Sequence, residues 1–409
     1  NGMDVKAAEI TEDSLVAAED TNVGNESVDI QQQEPVEISE LETTENNDLS
    51  KSSESITVDE SIAEDILATQ ADTAVVVGTV SDYLTAKGDA KLYNINLPAG
   101  VYLQAQLTTP ANADLDYDLY LLDAEGNILT GSDYYTYIKG PAGTLPEALG
   151  YITSGDTATY YLYVLASEGG SVSESFTLDY SVSTACDSYE IDESVRQALA
   201  FTYGAGGAYI ESRNLSSPID NDWYVITVPS SRIYDKLKIS ATTASTNTCS
   251  VEVYQNVASE GYQMKRVGSG NTISVSSGKY YIRVSNAKTM ENFDDLDIQN
   301  YKLSITPILK ATGIVITDLK GSEGLNKVVN YPGYGAHFRT QGSGTLTVYG
   351  VLTATDSSTG VTYAVGGEQI NGLYYSPAWE ANNTSANAIR RGTGTTDSSG
   401  KFEIDISLP

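Results

Sequence analysis

The run Asp114-Leu-Asp116-Tyr-Asp118-Leu alternates three carboxylates with apolar residues, a spacing that can do chemistry. On an extended chain, residues i, i+2 and i+4 share a face, so the acids point one way and Leu115, Tyr117 and Leu119 the other. Acids spaced about 7 Å apart on one face repel. A hard cation relieves that repulsion, and Ca²⁺, with roughly six to eight oxygen ligands at about 2.3 to 2.6 Å, suits the pattern. The run lacks the glycine and distal glutamate of an EF-hand loop. Its plain alternative is a charged strand edge that discourages aggregation. Asp294, Asp295 and Asp297 read as an ordinary solvated acidic loop. Cys186 and Cys249 could be bridged in an oxidising compartment, closing about 60 residues and adding roughly 3 to 4 kcal/mol, or could serve as two small buried hydrophobes.

Other chemistries are poorly supplied. The chain has one histidine in 409 residues, so multi-histidine metal sites are excluded and a Ser-His-Asp triad could use only His337. That residue sits in Tyr334-Gly-Ala-His-Phe-Arg339, where nothing resembles a nucleophile elbow or a zinc-binding helix, and it reads as an ordinary loop or strand histidine. Two cysteines cannot make a four-ligand zinc knuckle. With 23 basic against 55 acidic residues and a formal charge of -32, nucleic-acid binding by a basic face is excluded. No apolar run approaches the roughly 18 residues of a membrane span. Aromatic side chains remain as candidate ligand contacts: Tyr134 and Tyr135 in a loop between Gly131 and Gly140, and Tyr374, Tyr375 and Trp379 further on, with Tyr331 and Tyr334 nearby. Flat rings stack on sugars or anchor interfaces, but they also fill sandwich cores with their polar tips in water.

The elements that would carry these residues divide into four stretches. Residues 1–74 are an acidic tail, with 20 acidic and two basic residues before position 73 and no aromatic, and are expected to be disordered. Val5-Lys6-Ala7 has the small-residue spacing of a secretory cleavage site. The tail would act as a spacer from a wall or membrane, or simply as a solvated end. From Ala74 the text becomes short alternating runs separated by Gly, Pro, Asn and Asp, with helical periodicity confined to 193–201. Within it one unit is written twice. Asp89-Ala-Lys-Leu-Tyr-Asn-Ile-Asn-Leu-Pro98 matches Asp220-Asn-Asp-Trp-Tyr-Val-Ile-Thr-Val-Pro229. Tyr160-Tyr-Leu-Tyr-Val164 matches Tyr280-Tyr-Ile-Arg-Val284, and closing strands begin at Phe176 and Tyr301. This predicts an all-β chain of tandem, jelly-roll-like β-sandwich domains after the tail, with sandwiches over 75–184 and 185–309. A third sandwich is expected over 310–409, from strand-like runs at 312–318, 344–355 and 396–406 and the hairpin signal Asp397-Ser-Ser-Gly400.

On these motifs the stretch 75–308 resembles the bacterial pre-peptidase C-terminal domain, related in fold to collagenase collagen-binding domains. The resemblance rests on Asp222-Trp-Tyr224 with its Val-Pro turn, on Asp114 through Asp123-Ala-Glu-Gly126, on the Tyr-Tyr-x-x-Val strands, and on Asp187-Ser-Tyr-Glu-Ile-Asp192, which looks like the family's opening segment. The first copy has Lys91-Leu-Tyr93 where the second has Asp-Trp-Tyr. The resemblance implies an extracellular, usually non-catalytic accessory module. It further implies that Glu190, Asp192, Asp220 and Asp222 come together as a Ca²⁺ site near the start of the second copy. The last stretch is similar to immunoglobulin-like or carboxypeptidase-regulatory-like sandwiches. The expected function is a non-catalytic secreted or cell-surface bacterial protein for display, adhesion or matrix binding, possible partners being an extracellular protein, matrix or polysaccharide. The alternatives are the accessory region of a secreted hydrolase whose catalytic domain lies elsewhere, and a glycan-binding module. The chain stops directly after a strand, which leaves open whether a further segment follows in the native protein.

Overall fold

A computed structural model describes residues 15–16, 53–55, 75–112, 114–132, 145–243, 249–257, 264–269, 271–293, 298–322, 344–375 and 388–408. These contain strands and turns and no helix. The expected disordered tail, Asp294, Asp295, Asp297, His337, Tyr134, Tyr135, Tyr331, Tyr334 and Trp379 lie outside the described residues, apart from Leu15–Val16 and Ser53–Ser55 in the tail.

The two copies share one topology. In the first, a sheet runs Val75–Asp82, Phe176–Ser183, Tyr102–Thr108, Glu147–Ile152, facing a second sheet of Ala90–Leu97, Ala158–Glu168, Asp116–Leu122 and Ile128–Ser132. In the second, the sheets are Ala208–Leu215, Gln299–Leu309, Tyr234–Thr243, Thr272–Ser274 and Asn221–Val228, Gly278–Ser285, Ser250–Asn256, Met264–Ser269. Taken in chain order, eight strands occupy the same places in both, and all their pairings are antiparallel. Each copy also takes a short parallel strand on the same edge, Ser53–Ser55 beside Ala90–Leu97 and Leu199–Ala200 beside Asn221–Val228.

Period-2 alternation supplies the cores. Tyr160, Leu162, Val164 and Ala166 point inward from one strand and meet Leu103, Leu107, Leu119, Leu121 and Leu178 from its neighbours. Leu199, Ile226, Leu237, Ile239, Ile282 and Leu303 do the same in the second copy. Fully burying such a side chain is worth about 1.5 to 3 kcal/mol. Beyond them, Gly344–Thr355 pairs with Gly313–Gly321, Thr362–Ala364 and Lys401–Leu408, while Gln369–Tyr375 and Ala388–Thr395 form a two-stranded ribbon. The helical periodicity at 193–201 yields a turn closed by Gln197 N–H on Ser194 C=O (3.0 Å) and the short strand. Val195 and Ala198 there pack on Trp223, Val225 and Tyr281, so one apolar stripe is buried without a helix.

Candidate metal centre

The opening segment of the second copy lies between two of its strands and is tied to both. Asp187 accepts Asn214 N–H at 2.8 Å, and Asn214 Nδ2 donates to Ala185 C=O at 2.8 Å. On the other side Trp223 N–H donates to Asp192 C=O (3.1 Å) and Asn221 N–H to Glu193 Oε2 (3.2 Å). Six carboxylates collect there: Asp187, Glu190, Asp192, Glu193, Asp220 and Asp222. Arg213, which has no exposed surface, meets three of them. Its two terminal nitrogens lie 2.6 Å from Asp187, 2.5 Å from Asp192 and 3.0 Å from Asp222, and its Nε donates to Tyr224 Oη at 2.7 Å. Tyr224 and Tyr301 share a 2.6 Å hydroxyl contact, and Tyr301 donates a further hydrogen bond to Asp222.

A bulge turns Arg213 inward. The pairing of Ala208–Leu215 with Gln299–Leu309 slips between Ile210 and Arg213, and Ser212 takes φ 62°, which non-glycine residues rarely adopt. The extra residue breaks the alternation that would otherwise govern the strand's exposure.

One guanidinium cannot neutralise six carboxylates, four of them buried and Asp187 and Glu190 partly so, and the acids show it. Burial, followed by repulsion from Asp192 and Asp220, pushes Glu190 well above the usual carboxylate range. Burial does the same to Asp192 and Asp222 against the pull of Arg213, and to Glu193 with repulsion from Asp220. Asp220 is pushed up to about 6 by burial, opposed by hydrogen bonds from Ser216. Four buried carboxylate oxygens have no hydrogen-bond partner: Glu190 Oε1, Asp192 Oδ1, Asp220 Oδ1 and Asp222 Oδ1. Buried polar atoms are normally satisfied, so four orphaned oxygens in one cluster are a donor set that could hold a cation. One oxygen from each of Glu190, Asp192 and Asp222 lies within 4.8 Å of the others, as does one from each of Glu190, Glu193 and Asp220. Glu190 belongs to both trios. An all-oxygen, all-carboxylate donor set fits a hard cation, and Ca²⁺ before softer metals.

The four acids grouped through the family resemblance thus come together. Reading the sequence missed Arg213, Glu193 and, from the first copy, Tyr102 and Gln104. A surplus of acids around a lone strand arginine was the available signal. Asp114, Asp116 and Asp118 do not converge on one point: among the described residues, the groups able to hold a metal are the two trios at Glu190. Asp118 instead is buried and accepts hydrogen bonds from Ser167 and, at 3.4 Å, Tyr120, whereas Asp116 is half-buried and Asp114 exposed. Cys186 and Cys249 are free thiols, so the bridge is not formed. Cys249 packs on the second core, burial and Asp222 pushing it up to about 12, and burial with Glu190 raises Cys186. Of Tyr374 and Tyr375 the backbone is described, paired with Ile389 and Ala388.

The first copy carries the same frame with the charges exchanged. Phe176 faces Asp82 in register as Tyr301 faces Arg213. Lys91, at the place of Asp222, pairs with Asp82 at 2.7 Å, and Tyr93, at the place of Tyr224, donates to Asp82 at 3.0 Å. The shared aspartates Asp89 and Asp220 each accept from a residue four positions back, Thr85 or Ser216, and close the turn before the strand. The common aspartate therefore shapes the turn, and the metal-capable acids belong to the second copy.

No protein-family model and no curated protein matches the chain. Solved structures similar to it include the CUB1-EGF-CUB2 domains of rat MASP-1, with 10% identity over 56% of this chain and 97% of that one at a TM-score of 0.19. A putative secreted protein from Eubacterium rectale shows 13% identity over 56% and 74% at 0.18. The CBM22-1-CBM22-2 tandem domain of Paenibacillus barcinonensis Xyn10C shows 12% over 58% and 92% at 0.17. These neighbours are β-sandwich domains, and nothing about the site rests on them.

Proposed function

We propose that this chain is a non-catalytic secreted or cell-surface bacterial protein used for display, adhesion or matrix binding, with Ca²⁺ at the Glu190 cluster stiffening its second pre-peptidase-like sandwich. The observation that carries the reading is the set of four partnerless carboxylate oxygens beside a single buried guanidinium. Glu190, Asp192, Asp220 and Asp222 would hold the ion, with Glu193 beside them. Bound there, the ion would supply positive charge and fixed coordination rather than a reaction, with Asp192 and Asp222 already held by Arg213 and Asp222 also by Tyr301. An extracellular location accords with this reading. Extracellular modules hold Ca²⁺ at about 10⁻⁴ to 10⁻³ M, and such a site fills outside the cell. The pre-peptidase reading is supported by the opening segment Asp187–Asp192 lying against Asp220 and Asp222.

The test is binding of the whole chain to arrayed collagens, glycans and cell-wall polymers, in Ca²⁺ and in chelator. The expected result is capture by one extracellular polymer that weakens on chelation, without turnover of it. Hydrolysis of an arrayed substrate would overturn the reading.

A further inference from the structure

The carboxylates of the second sandwich are gripped from outside it. Tyr102 and Gln104 lie on the Tyr102–Thr108 strand of the first sandwich, 1% exposed each. The Tyr102 hydroxyl lies 2.8 Å from Glu190 Oε2 and 2.5 Å from Glu193 Oε1, and Gln104 Nε2 donates to the same Glu193 oxygen at 2.5 Å. A third contact crosses the junction alongside, Asn221 Nδ2 to Gln106 Oε1 at 3.3 Å. The approach is close enough to require a glycine. A Cβ at Gly150, on the neighbouring Glu147–Ile152 strand, would stand 2.7 Å from the Tyr102 hydroxyl, 2.8 Å from Glu193 Cγ and 2.9 Å from Ile191 Cγ2. Gln104 Oε1 is buried in this junction and has no partner.

Glu190 and Glu193 are therefore members of a metal-capable trio and, at the same time, the groups through which the second sandwich holds the first. We infer that the cation site is an inter-sandwich clamp: Tyr102 and Gln104 are positioning residues that orient Glu190 and Glu193 for the ion, and the ion in turn fixes the docking of the two sandwiches. This rests on the reading of the Glu190 cluster as a Ca²⁺ site. The physical reason is reciprocity. Residues one shell out from a metal set the direction of its ligands, and their loss typically weakens affinity about 10- to 100-fold. Whatever docking contributes to ion binding, ion binding returns to docking by the same factor. With the ion gone, Glu190, Glu193 and Asp220 repel one another on the second sandwich's side of the joint, and Tyr102 and Gln104 of the first lose the fixed acceptors they need. A single module would need none of this, since the residues of its own strands could have supplied the second shell.

The experiment uses the full chain and its Tyr102→Phe/Gln104→Met double variant, whose side chains match in size and keep the first sandwich folded by circular dichroism. Calorimetric titration with CaCl₂ gives affinity, and amide exchange read by mass spectrometry gives docking. The expected result is a loss of Ca²⁺ affinity of about tenfold or more in the variant. In the parent chain, Ca²⁺ slows exchange in first-sandwich peptides over 98–108 and 146–152 as well as in the second sandwich, and in the variant the first-sandwich part of that protection disappears. Equal affinities, or protection confined to 185–309 in the parent chain, would overturn the clamp while leaving the metal site standing. No heat of Ca²⁺ binding in the parent chain would remove the site and the clamp together.

Discussion

Without calcium, lowering the pH from 7.5 to 5 raises the melting temperature of the second sandwich, and Asp220 sets the least amount. Its carboxyl is pushed up to about 6 in the folded chain from an ordinary 3.8. A group with a raised folded value binds its proton more tightly when folded, so its stabilising effect is full below the unfolded value and is lost as the pH rises through the folded one. At pH 7.5 the ionised Asp220 therefore costs the fold about 3 kcal/mol, of which roughly 1 kcal/mol is recovered between pH 7.5 and 5. For a module of this size that is a rise of roughly 5 °C. Glu190, Asp192, Glu193 and Asp222 are displaced in the same direction and add to it. Calcium replaces the protons, so millimolar CaCl₂ flattens the slope and lifts the melting temperature most at high pH. Scanning calorimetry in EDTA and in CaCl₂, on the parent chain and on Asp220→Asn, separates this from the general relief of a -32 chain on acidification. Identical pH slopes in all four conditions would refute the assignment of the effect to this cluster.

Three further outcomes follow from the same geometry. Arg213→Met leaves Asp187, Asp192 and Asp222 buried without their cation and lowers stability by about 3 to 5 kcal/mol in urea unfolding, while Lys91→Met, which removes the cation of the more exposed pair in the first copy, loses about 1 kcal/mol or less. Equal losses would mean that the two pairs are energetically alike despite their different burial. Intact mass without reductant shows two free thiols, and the partly buried Cys249, with its thiol raised to about 12, labels more slowly with iodoacetamide at pH 8 in the folded chain than in the unfolded one; equal rates would contradict the raised thiol. Gly150→Ala drives a methyl group into Tyr102, Glu193 and Ile191 and makes the 98–108 and 146–152 peptides exchange faster, with the second core unchanged; unaltered exchange would show that the junction has slack.

Much of the fold was legible because a β-sandwich writes its inside and outside at period two. The alternation through Tyr160, Leu162 and Val164, and its echo at Tyr280, Ile282 and Val284, marks equivalent central strands of two equivalent sheets. The departure Lys91-Leu-Tyr93 was legible too, but its meaning was not. Only register shows that Asp82 stands where Arg213 does, so that the first copy holds an ion pair of reversed polarity. Asp114, Asp116 and Asp118 attracted attention because they are adjacent in sequence. They fail as a cluster because Asp118 is buried against Ser167 and Tyr120, the pairing slips between Asp116 and Tyr117, and Asp114 lies exposed before the strand. The acids that do converge come from positions 187 to 222. The bulge at Ser212 that brings Arg213 among them reverses a local pattern, and the first-sandwich residues that hold them lie about 90 positions away.

Isothermal titration of the whole chain with CaCl₂ at pH 7.5, beside Glu190→Gln and Asp222→Asn, bears most directly on the claim that the buried carboxylates form a cation site. Saturable Ca²⁺ binding that falls at least tenfold in each variant is the predicted result. A parent chain that binds no Ca²⁺, or variants that bind as the parent does, would contradict it.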